Sequence, residues 1–175
     1  MTAPVADDVV RDVVREAIRS VWKQCPDLIE HGVHERTVVA HIAAALNVRL
    51  EAWPGLWRAD VEYNRFHDRG LEAIGTKYLR GAAGDRRNVY PNLIVHDPRG
   101  GGPDHNLLVL EAKKGAPTDI DREPDYRKLQ GFLQQFDYHQ AAFLEYDGTG
   151  GRPRIEWLVP FISHPDPTTP ASEEL

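Results

Sequence analysis

The spacing of hydrophobic and polar positions changes period several times along the chain, and each change marks an element. Between Asp7 and Lys23, the residues Val10, Val13, Val14, Ala17, Ile18 and Val21 recur at steps of three and four, with Asp12, Arg15, Glu16 and Arg19 opposite. That spacing predicts an amphipathic helix capped by Asp7, with Pro26 stopping it. A second helix is predicted from His34 to Asn47, burying Val38, Val39, Ile42, Ala43 and Leu46. After the Trp53-Pro54-Gly55 turn the period drops to two. From Arg58 to Phe66, Asp60, Glu62 and Asn64 share one face and Ala59, Val61 and Tyr63 the other, which predicts a strand with one solvated side. His67 to Asn88 is polar and glycine-bearing, with a short helical turn expected over Leu71 to Tyr78. Two apolar runs follow, Val89 to His96 and Leu107 to Lys114, joined by turn residues, which reads as a hairpin with a long loop. A helix from about Glu123 to Gln135 presents Tyr126, Leu129, Phe132, Leu133 and Phe136. Strands are expected at Ala141 to Tyr146 and Ile155 to Val159.

The order helix, helix, three strands, helix, two strands predicts an α/β protein with a mixed sheet covered by helices. The 175 residues are expected to form one domain over 1–162, followed by a tail of little fixed structure over 163–175. Hydrophobic residues at 41% and charged residues at 27% are ordinary for a globular chain. A net charge of −6 argues against a general basic coat, while leaving room for a local basic patch. The single Cys25 excludes an intrachain disulfide and a multi-cysteine zinc site. No apolar run approaches the roughly 18 residues of a membrane span, and the acidic N-terminus lacks a signal-peptide pattern. A cytoplasmic protein with no membrane partner is the expectation.

The candidate chemistry lies at the ends of the hairpin strands. Pro91-Asn92 begins the apolar part of the first, and Glu111-Ala112-Lys113 stands near the end of the second. Strand alternation puts Glu111 and Lys113 on one face, about 7 Å apart. A carboxylate beside an ammonium at the end of a buried strand is unfavourable unless both have partners. Pro91-Asn92, a spacer and Glu111-Ala112-Lys113 resemble the motif of the PD-(D/E)XK nuclease superfamily. The resemblance implies an α/β/α sandwich with a central mixed sheet of four to five strands, restriction-endonuclease-like. It also implies a site that hydrolyses phosphodiesters with Mg2+ or Mn2+.

In the terms of that resemblance, Asn92, Glu111 and Lys113 are the catalytic positions. Glu111, Asn92, the Ala112 backbone carbonyl and Glu35 are the metal-ligand positions, with Lys113 orienting water. The chain departs from the family at Asn92, where an aspartate is usual. An amide oxygen brings no negative charge to a hard cation, so the implied nuclease is weakened or inactive. The run Val61-Glu62-Tyr63-Asn64-Arg65 resembles a subgroup of small bacterial nuclease-like proteins, and makes Glu62, Asn64 and Arg65 substrate-binding candidates, with Glu62 also a candidate second acidic ligand. Lys128, on the helix after Glu-x-Lys, is a fourth substrate-binding candidate.

Each candidate has an ordinary alternative. Glu35 suits the first turn of its helix, Glu62 and Asn64 a polar strand face, Arg65 a surface position, and Lys128 an ion pair with Asp125 three residues before it. Arg69, Lys77, Arg80, Arg86 and Arg87 either track a phosphate backbone or belong to a solvated loop. His96 shares a strand face with Asn92 and is a lesser candidate.

Three functions remain open. The first is a metal-dependent endonuclease compromised at Asn92. The second is a non-catalytic nuclease-like module that binds nucleic acid or a protein partner, and the third an interaction protein with no nucleic-acid role. Among nucleic acids DNA is expected over RNA. The superfamily's habits add a homodimer or a larger defence-type complex as expected assemblies.

Overall fold

The computed structural model describes residues 5–67, 74–80, 86–100, 102–158 and 171–175. Three helices come first: α1 (Asp7–Gln24), the short α2 (Pro26–Glu30) and α3 (Glu35–Leu50). The strand β1 (Arg58–Val61) follows, then four three-residue strands, β2 (Arg65–His67), β3 (Ile74–Thr76), β4 (Tyr78–Arg80) and β5 (Arg86–Asn88). The hairpin β6 (Leu93–His96) and β7 (Asn106–Lys114) leads into α4 (Asp119–Gln135), and β8 (Gln140–Tyr146), β9 (Arg154–Leu158) and β10 (Ala171–Glu174) complete the order.

The main sheet runs β1-β6-β7-β8-β9-β10. Only β7 and β8 are parallel, linked through α4, and every other neighbour in the sheet is antiparallel. Helices cover both faces. On one, α1 and α3 pack Val14, Ile18, Val39, Ile42 and Leu46 against Leu93, Val95, Leu108, Leu110, Ala112 and Leu144. On the other, Leu129, Phe132 and Leu133 of α4 meet Ile94, Val109, Ala141 and Phe143. Coverage on both sides explains why β7 is buried from Asn106 to Ala112 and why Leu107 to Leu110 reads as an unbroken apolar run instead of alternating. The architecture is the expected α/β/α sandwich around a mixed sheet. No helix among the described residues is long and apolar enough to cross a membrane.

Four local expectations are corrected. The strand from Arg58 to Phe66 is broken: β1 stops at Val61, Glu62 takes the left-handed conformation with φ +52°, and β2 pairs with β3 outside the main sheet. The helical turn over 71–78 is replaced, within the described residues, by β3 and β4. Helix α4 begins at Asp119, four residues earlier than expected, on a capping box in which Thr118 and Asp121 exchange backbone and side-chain hydrogen bonds. Residues 171–174, expected in the tail, form β10 on the edge of β9.

Candidate functional site

The strand β7 outlasts β6, and this difference in length builds the site. Leu93, the first residue of β6, pairs with Leu110, so the β6-side edge of β7 beyond Leu110 lacks a strand partner. Side chains take over. The Asn92 Oδ1 accepts from the Ala112 N–H at 2.7 Å, and the Glu35 Oε1 accepts from the Lys114 N–H at 3.1 Å. Two candidate ligands therefore cap successive backbone donors on one edge, about 7 Å apart along the strand. The Ala112 carbonyl projects to that same edge, because a strand residue points its N–H and C=O to one side.

Glu111 continues the row that faces α4, after Val109. It is 1% exposed. Its Oε1 accepts from the Asn92 N–H at 3.3 Å and its Oε2 from the Lys128 Nζ at 2.8 Å. Burial disfavours the carboxylate and the Lys128 ammonium favours it; burial dominates, raising the Glu111 pKa to about 7. Lys128 also lies 3.5 Å from the Asp125 Oδ1, one turn earlier on α4, and the Lys113 Nζ lies 3.8 Å from the Asp125 Oδ2. The result is a chain of alternating charge, Glu111–Lys128–Asp125–Lys113, running from the buried strand to the surface.

Asn92, Glu111, Ala112, Lys113 and Lys128 thus come together, and Glu35 stands one step further along the edge. Glu62 is joined to this region through its backbone, where its N–H donates to the Asn92 carbonyl at 3.3 Å. Its carboxylate turns to Arg36 on α3, with an N–O separation of 2.7 Å. Asn64 is buried, and its carbonyl accepts from the Lys77 N–H at 2.6 Å. Arg65 opens β2 and is exposed. These three are positioned by the β1–β2 turn and not by the Glu111 cluster. Asp125 was absent from the sequence candidates except as the partner of Lys128. Its spacing three residues before Lys128 carried the signal, but only the packing of α4 on β7 reveals its second contact, to Lys113.

The supposed cationic loop divides. Arg69 lies outside the described residues. Arg80 and Arg86 are paired across β4 and β5, with Arg87 opposite Leu79. Lys77 is no phosphate-tracking cation: it is 1% exposed, and its Nζ donates to the Tyr138 hydroxyl at 2.6 Å. The Nζ lies 4.9 Å from the Tyr138 ring centre and within 6 Å of those of Tyr63, Phe132 and Phe136. Desolvation by this enclosure lowers the Lys77 pKa to about 7, against the raising effect of Asp60. His96 stands at the far end of β6 from Asn92 and meets the Asp60 Oδ2 at 2.7 Å. Burial lowers its pKa, with Asp60 opposing.

A hard divalent cation prefers several carboxylate oxygens. Here the Asn92 oxygen is committed to a backbone donor, the Glu35 carboxylate to another, and the Glu111 carboxylate to an ammonium. No group of three His, Cys, Asp or Glu side chains suited to a metal occurs among the described residues. The donor set as arranged fits Mg2+ or Mn2+ poorly. A separate cleft of about 280 Å3, lined by Asp119, Arg122, Glu123, Tyr126 and Glu156, contains none of the clustered residues. Comparison with known proteins finds no family model, no curated relative and no solved structure that matches the chain.

Proposed function

We propose that the chain is a nuclease-like module that binds nucleic acid at the end of β7, with phosphodiester cleavage weakened or lost through Asn92. The observation that carries this reading is the pair of ammonium groups, Lys113 and Lys128, held about Asp125 next to the buried Glu111, whose other oxygen accepts from the Asn92 N–H. Two cations at a partly exposed edge suit a phosphodiester, and positioned charge is what such chemistry requires. The resemblance of Pro91-Asn92 and Glu111-Ala112-Lys113 to the PD-(D/E)XK motif supports the choice of substrate. It alone supplies the preference for DNA over RNA and the expectation of a homodimer. The net charge of −6 favours a protein partner as the second reading.

The test has two arms. Affinity for single-stranded and duplex DNA is measured across a salt series, where phosphate contacts make log K fall linearly with log salt. Cleavage is assayed with Mg2+ or Mn2+ for the native chain, Asn92→Asp, and Asn92→Asp combined with Glu111→Ala. The expected result is salt-dependent binding by the native chain with cutting at least about 100-fold below Asn92→Asp, the scale of a lost preorganised charge. The double variant should not cut. DNA affinity that is absent or indifferent to salt would leave the protein-partner reading in place of this one.

A further inference from the structure

We infer that Lys113 and Lys128 form a seat for one phosphodiester oxyanion, and that Asp125 fills this seat in the free protein as a built-in competitor. The inference rests on the nucleic-acid reading above and adds how access to that site is controlled.

Three observations carry it. First, Asp125 offers one oxygen to each ammonium, Oδ1 to Lys128 at 3.5 Å and Oδ2 to Lys113 at 3.8 Å. A phosphodiester has two non-bridging oxygens that can address two cations in the same way. Second, both separations exceed the roughly 2.7–2.9 Å of a charge-assisted hydrogen bond. Asp125 is therefore held by charge without a tight bond to either lysine, and an anion able to approach both more closely can displace it. The short contact of Lys128 is to Glu111, at 2.8 Å, so that lysine stays anchored when Asp125 leaves. Third, the seat opens to solvent. The Lys113, Lys128 and Asp125 side chains are 36%, 21% and 19% exposed, against 2% for Glu111.

Neighbouring carboxylates have firmer partners. Asp121 closes the capping box with Thr118, and Glu145, paired in register with Lys113, accepts from the Arg122 Nε at 2.5 Å. Asp125 is the carboxylate of this surface that the two lysines hold loosely between them. Its consequence is selective: an isolated phosphate must displace Asp125 with only the seat as reward, whereas a polymer brings further phosphate contacts that offset the displacement.

The experiment compares the native chain with Asp125→Asn, which keeps size and removes charge, and with Asp125→Ser, in case the amide disturbs α4. Glu123→Gln removes the same charge from the same helix outside the seat, where Glu123 pairs with Arg127. Single-stranded DNA and inorganic phosphate are the probes. The expected result is a roughly five- to tenfold gain in DNA affinity for both Asp125 variants, the scale of two partly exposed ion pairs released together, with less than twofold for Glu123→Gln. Adding Lys113→Met to Asp125→Asn should remove the gain. If the native chain binds DNA but the Asp125 variants gain no more than Glu123→Gln, the competitor is overturned and the nucleic-acid reading survives. If no form binds DNA but Asp125→Asn acquires phosphate binding, the seat stands and the nucleic-acid reading falls. Binding of neither probe by any form overturns both.

Discussion

Asn92 carries a structural duty that its place in the motif does not announce. Its amide oxygen satisfies the Ala112 N–H where β6 has run out, and its own N–H supports Glu111. Asn92→Ala orphans the first donor and should destabilise the fold by about 1–2 kcal/mol in urea unfolding. Asn92→Asp behaves differently. A carboxylate still accepts from Ala112, but it sets a second negative charge beside the buried Glu111, and like charges at this range disfavour ionisation of both. A divalent cation would relieve that repulsion. Added Mn2+ should therefore raise the thermal midpoint of Asn92→Asp, because a ligand that binds only the folded state stabilises it by mass action, while leaving the native chain unmoved. An equal shift in both would show that the amide already serves as a ligand. At this scale the sequence exposed Asn92, Glu111, Lys113 and Lys128, since each is a polar residue in a conspicuous pattern. It concealed Asp125, whose second partner is on another element, and it misplaced Lys77. The polar and glycine-bearing composition around Lys77 suggests solvent; its burial comes from four aromatic rings contributed by distant segments.

The elements were legible where periodicity was long and obscured where local chemistry interrupted it. The stripes of α1 and α3 and the apolar runs of β6 to β9 are repeated signals, and the structure forms each of them. The early start of α4 gave no periodic signal, because Asp119 to Glu123 hold a single apolar residue, Ile120, and Pro124, a helix breaker by type, lies inside the helix. The true start is set by Thr118, whose hydroxyl accepts from the Asp121 N–H, while Asp121 returns a bond to the Thr118 N–H at 3.0 Å. Thr118→Ala should cost about 1 kcal/mol, read as a lower thermal midpoint, and should fray the turn beside Lys113. An unchanged midpoint would mean that packing against β8 and not the capping box holds this end. The break at Glu62 has a similar origin. Its alternation with Asp60 and Asn64 suggests a continuous strand, but with Glu62 left-handed the pairing with β6 ends at Val61, and Tyr63 packs its ring on His96. Nothing in the residue type demands that conformation, so the pattern could not disclose it.

For the molecule as a whole, Lys77 ties stability to pH. It sits between β3 and β4, and its backbone joins Asn64 to Val89. Its side chain closes the gap between this small-strand region and α4. Among the described residues, Asp60 of β1 and His96 of β6 interact with its charge, and Tyr63 and Tyr138 face its ammonium. Of the forces acting on its own ionisation, desolvation is the largest and lowers the pKa, while Asp60 raises it. With the folded value near 7 and the unfolded value near 10.5, both states hold the proton below 7 and the penalty of the buried charge is present in full. Between these values the unfolded chain binds more protons than the folded one, so stability rises as pH increases, and above them the penalty is gone. The whole excursion is on the order of 4–5 kcal/mol at most, from about 1.4 kcal/mol per unit. Lys77→Met keeps the length of the chain among the rings and removes the titration, though it leaves the Tyr138 hydroxyl without its donor. That loss is constant across the window, whereas the lysine penalty is not. The difference in unfolding free energy, native minus Lys77→Met, should therefore grow in favour of the native chain as pH is raised from neutrality, with other groups cancelling between the two proteins. Urea unfolding of both across that range is the measurement. A flat difference would mean that Lys77 keeps an ordinary ionisation in the fold, and that Asp60 and the aromatic rings compensate fully for its removal from water.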